Sequence, residues 1–137
     1  MINISSVLSL TAWQEYHYHN YDQSLFYMDR VFDLGIANEE DYLLRAKLTR
    51  TISNTGESNL EALHLINTAL AMNDFDFVEA LAEKGLILIR LGEVGQAREV
   101  FMEYKNAVSG MPDIPPGRDA IWANRMLIKC DQLMLKR

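Results

Sequence analysis

EALAEKGLILIRLGEVGQAREVFMEY, residues 79–104, decides the fold. Leu81 and Gly85 stand one helical turn apart, Gly92 stops that helix, and Ala97 and Phe101 open the next. Small side chains fall where two antiparallel helices must touch, and bulky ones fall where they must interlock. The intervals Gly85-x6-Gly92-x4-Ala97-x3-Phe101 can be laid back over the rest of the chain. Upstream, Leu8, Ala12, Tyr21, Ser24, Met28 and Val31 keep them without a gap. In the middle, Tyr42 and Ala46 open one helix, and Ala62, Ile66 and Ala69 continue in its partner, but that copy is four residues too long. Four residues make about one helical turn, so the third helix is expected to lengthen without rotating its buried face.

Helical periodicity runs throughout, and no stretch alternates in the manner of a strand. The breakers divide the chain into about seven helices. Asn20-Tyr21-Asp22 is expected to separate the first from the second, and Gly35 to close the second. Asn38 has the place of an N-cap, with Glu39, Glu40 and Asp41 in the first turn, where the helix dipole favours carboxylates. Asn54-Thr55-Gly56 ends the third helix, Asn73-Asp74 the fourth, Gly92 the fifth and Gly110-Met111-Pro112 the sixth. Three prolines in residues 110–117 exclude helix there, and a last helix runs from Arg118 to about Lys136.

The 79–104 spacing resembles the tetratricopeptide (TPR) helix-turn-helix, whose period is about 34 residues. Residues 20–35, NYDQSLFYMDRVFDLG, are similar to the second half of such a unit. The resemblance implies an all-α fold, a right-handed superhelical stack of three TPR-like helix pairs. It forms one domain over residues 1–137, with repeats roughly at 5–37, 39–74 and 76–110. Ala12, Ala46 and Gly85 let the neighbouring helix of each pair approach. A stack leaves an apolar face at its end, and the helix at 118–136 is expected to cap it with Ala123, Met126, Leu127, Cys130 and Met134 on one stripe.

Composition narrows the function. A net charge of −6 disfavours general nucleic-acid binding, which needs a basic surface. The apolar runs are far shorter than the roughly 18–20 residues of a membrane span, and the N-terminus lacks a basic n-region and cleavage site. A lone Cys130 fits a reducing cytoplasm and a buried, inert thiol. No phosphate-cradling glycine loop, nucleophile elbow or zinc-binding His pair is present. His17 and His19, two apart, would project about 200° apart on a helix and could share a metal only if the helix has already ended there, so metal binding is not expected. His64 stands alone on a helix as a packing or surface residue. No nucleophile or base in residues 111–117 supports a catalytic loop. The chain is expected to be no enzyme and to need no metal or other cofactor.

A binding protein remains. In TPR proteins the first helix of each pair lines the concave surface, which receives a peptide or helix. The inward positions here include Trp13, Tyr16 and His17, then Leu43, Lys47 and Arg50, then Leu86 and Arg90. Aromatic residues at one end and cations along the strip suit a carboxylate-bearing segment of a partner protein. TPR adaptors that grip the C-terminal carboxylate of heat-shock chaperones use a clamp of lysine, asparagine and arginine. Here those positions carry Ser9, Trp13, Lys47, Ala82 and Leu86, so that clamp is not expected. Three units, a capping helix, an acidic balance and small size resemble the cytoplasmic chaperones of bacterial type III secretion, which hold a segment of a secreted subunit. The alternative is a self-associating structural or regulatory protein, such as a homodimer. Residues 1–44 hold seven carboxylates against Arg30 alone, whereas the tail from Arg118 is basic.

Overall fold

A computed structural model describes residues 4–72, 78–111 and 117–136. Among them are seven helices and no strand: α1 (Ile4–His17), α2 (Tyr21–Asp33), α3 (Glu39–Ile52), α4 (Gly56–Met72), α5 (Val78–Arg90), α6 (Val94–Val108) and α7 (Ala120–Leu135). None is long and apolar enough to cross a membrane. The expected break at Asn73-Asp74 and residues 112–116 of the proline loop lie outside the described residues. The chain divides into two compact units, Met1–Met72 and Asn73–Arg137.

In the first unit α1 packs on α2 and α3 on α4, with α2 also against α3. Ala12 is wholly buried, and the Ser24 hydroxyl donates to its carbonyl at 2.7 Å, so two small residues let α1 and α2 meet. Around them Met28, Val31, Leu44 and Leu48 form the core, with Leu8 and Tyr21 packed against it. The first break falls at residues 18–20 rather than at Asn20-Tyr21-Asp22. His19 takes a left-handed φ of 62°, and Tyr21 and Asp22 already belong to the first turn of α2. Gly35 (φ 70°) follows the end of α2, as its freedom at positive φ allows.

The four extra residues of the middle copy do not go where the spacing suggested. α3 runs six residues past Ala46, against five for α5 past Gly85. α4 starts six residues before Ala62, whereas α6 starts three before Ala97. Most of the added turn therefore opens α4. The Thr55 and Ser58 side chains bond each other's backbone N–H at 3.0 and 2.9 Å, which holds that early start.

In the second unit α5 pairs with α6 and α7 lies on α6. Gly85 faces the Phe101 ring so closely that a Cβ there would meet Cε1 at 2.6 Å and Cε2 at 2.8 Å. Gly92, φ 79°, stops α5 where expected. The last helix begins at Ala120, two residues later than expected, because Asp119 caps it by accepting from the Trp122 N–H at 3.1 Å. Ala123, Leu127 and Cys130 are buried against the rest of the unit, Met126 is half-buried, and Met134 is exposed. Trp122 does more than the expected stripe implied. It meets Phe101 and Tyr104 edge-on at 5.7 and 5.3 Å and receives the Arg118 guanidinium on its face at 4.3 Å.

Candidate functional site

The C-terminal half of α1 gathers three of the expected binding residues. Trp13 and His17 stack at 5.9 Å with 27° between planes, and Tyr16 meets Trp13 edge-on at 6.1 Å. Tyr21 extends the cluster to 5.7 Å from Tyr16. These residues sit together because positions 13, 16 and 17 share one side of a helix. Trp13 and Tyr16 are half-buried and pack on the first unit's core, and His17 is exposed. His19, just past the helix end, is 2.7 Å from the Tyr21 hydroxyl through Nδ1. No group of three potential metal ligands occurs among the described residues.

On α3 the three expected residues differ in depth. Leu43 is 2% exposed and Lys47 8%, whereas Arg50 is half-buried. On α5, in the second unit, Leu86 is half-buried and Arg90 exposed. Thus Trp13, Tyr16, His17, Arg50, Leu86 and Arg90 present surface, and Leu43 and Lys47 present little.

A feature that periodicity did not signal joins α1 to the start of α3. Asn38 and Asp41 form a reciprocal capping box, each side chain bonding the other's backbone N–H at 3.0 Å. The buried Asp41 carboxylate also accepts from the Ser9 hydroxyl at 2.7 Å. Beside this knot lies an open cleft of about 380 Å³, walled by Leu10, Trp13, Ile36 and Glu40. Burial, and then the negative charges of Glu39 and Asp41, push the Glu40 carboxyl above its ordinary value, with Lys47 opposing. The cleft thus combines apolar residues from both of its sides, Leu10 and Trp13 on α1 and Ile36 before α3, with the Glu40 carboxylate. The capping pattern in the sequence marked Asp41, but nothing marked its bond to Ser9.

No family model and no curated protein matches the chain. Among solved structures, the chain is similar to the first TPR domain of Spaghetti (RPAP3), bound to the HSP90 peptide SRMEEVD. The TM-score is 0.75 over 96% of this chain and 95% of that one, at 16% identity. The fold is TPR-like. Within that TPR-like fold α1, α3 and α5 are the first helices of the three pairs, and α7 follows the last pair.

Proposed function

We propose that this TPR-like protein is a non-enzymatic binding module, a small chaperone or adaptor that holds a segment of a partner protein on the first helices of its pairs. The likeness of fold to a domain solved with a bound acidic peptide carries the reading. The side chains refine it. Trp13 and Tyr16, held by the core behind them, are rigid aromatic anchors that lose little entropy when a segment docks. Arg50 on α3, half-buried in the same unit, is the cation offered to carboxylates on that segment, and Arg90 on α5 is an exposed cation of the second unit. The ligand is then acidic, but it is not gripped by the heat-shock clamp. Ser9 at one clamp position is committed to Asp41, and Ala82 and Leu86 at others carry no charge. Acidic balance and the helix after the last pair favour a cytoplasmic chaperone of the type III secretion kind, with a secreted subunit as partner.

The test is affinity capture from the native host with wild type, Arg50→Glu and Arg90→Glu. Lys47 is too buried for a clean charge reversal. A protein retained stoichiometrically by wild type and reduced at least about tenfold by Arg50→Glu, at unchanged helicity, supports the reading; a reversed ion contact is worth more than about 1.4 kcal/mol. Equal retention by all three proteins refutes it.

A further inference from the structure

The outward side of α7 is apolar. Ile121, Ile128 and Leu135 are 62%, 56% and 85% exposed. Their seven-residue spacing keeps them on one stripe, opposite the buried Ala123, Leu127 and Cys130. By the helical period Arg125, Lys129 and Lys136 flank that stripe on one side. On its other side Asp131 is held by Arg98 at 2.8 Å. Exposed aliphatic side chains gathered on one stripe, with a polar rim, mark an interaction surface. Here the stripe carries three large aliphatic side chains and a cationic rim.

We infer that this stripe docks on a second copy of the chain, in the cleft between α1 and the turn joining α2 to α3. The cleft supplies what the stripe lacks. Leu10 and Ile36 are exposed there, the half-buried Trp13 lines it, and so does the exposed Glu40, next to Glu39 in the chain. Crowding of Glu39, Glu40 and Asp41 in one helical turn, relieved by an arriving cation, adds to the attraction. Charge chooses the partner surface. Pairing α7 with α7 of another copy sets cationic rim near cationic rim. Pairing it with the cleft joins a tail of five cations and two carboxylates, residues 118–137, to a segment of seven carboxylates and one cation, residues 1–44. The contact joins two different patches, so it is heterologous and extends with concentration or closes into a ring.

Sedimentation velocity of the full chain, over about a hundredfold range of concentration at low and high salt, reads the association directly. Two variants, each checked for helicity, carry the assignment: Ile128→Asp removes the stripe, and Glu40→Arg reverses the cleft. Wild type is expected to associate with concentration and to loosen severalfold in high salt. Each variant alone is expected to stay monomeric, and a mixture of the two to form a one-to-one complex, since each keeps one intact patch. A wild type that stays monomeric throughout, an association indifferent to salt, a Glu40→Arg chain that still self-associates, or a mixture that stays monomeric would each overturn the inference. No partner protein enters the experiment, so its failure is separate from failure of the proposed function.

Discussion

Gly85→Ala is a test of the helix contact from which the fold follows. In most helix interiors this substitution stabilises by about 1 kcal/mol, because alanine is the better helix former. Here the new Cβ would lie within 2.6–2.8 Å of two Phe101 ring atoms, with Cζ closer still. Ordinary carbon contacts need about 3.5 Å, so the ring must retreat by nearly 1 Å. Phe101 is wholly buried and edge-on to Trp122 at 5.7 Å, which leaves it nowhere to go without disturbing α7. Overpacking of this kind costs about 1–3 kcal/mol, and the upper half of that range applies to a trapped ring. The net expectation is a loss of about 1–2 kcal/mol, seen in urea unfolding as a midpoint lowered by about 0.5–1 M. In a Phe101→Leu background the same Gly85→Ala change is expected to be neutral or stabilising, a coupling of about 1–3 kcal/mol between the sites. A stabilisation by Gly85→Ala in the wild-type background would refute the close approach of α5 and α6.

Three further outcomes follow from the buried polar groups. Burial, reinforced by Glu79 and Asp119, pushes the Tyr104 phenol up to about 12, and its hydroxyl donates to the Arg118 carbonyl. The phenol is therefore more readily ionised in the unfolded chain. Its stabilising contribution is complete below pH ~10 and is lost as pH rises toward ~12, by a few kcal/mol at most. Unfolding free energies of wild type and Tyr104→Phe should converge in that window, and parallel curves would contradict it. Cys130 is buried and its thiol is pushed up by that burial. A thiol-reactive disulfide reagent at mild alkaline pH should label it only after denaturation, and rapid labelling of the native protein would refute its place in the core. Asn38→Ala removes one half of the capping box and is expected to cost about 1 kcal/mol. Asp41→Ala also breaks the Ser9 bond, with an expected cost of about 2 kcal/mol; equal costs would mean that the Ser9 bond contributes nothing.

The fold was legible because close helix contact constrains both members of a pair. Ala12 with Ser24, and Gly85 with Phe101, announce themselves by spacing alone, and the structure shows each in contact. Local backbone choices were less legible. Asn20-Tyr21-Asp22 has turn composition, yet the chain turns two residues earlier because His19 accepts a left-handed conformation. The added helical turn was visible as an interval but not as a location, since a turn added to α3 or to α4 keeps the buried face equally well. The candidate site shows the same division. Periodicity places Leu43, Lys47 and Arg50 on one side of α3, but depth depends on what covers that side, and only Arg50 retains much surface. The Ser9–Asp41 bond joins residues 32 apart and has no periodic signature.

The claim that matters most is that a partner segment is held on the first helices of the pairs. Hydrogen–deuterium exchange of the protein with and without its captured partner tests it directly. Added protection is expected on α1 and α3, around Trp13, Tyr16 and Arg50, while α2 and α4 exchange as before. Protection confined to α2 and α4, with α1 and α3 unchanged, would contradict it.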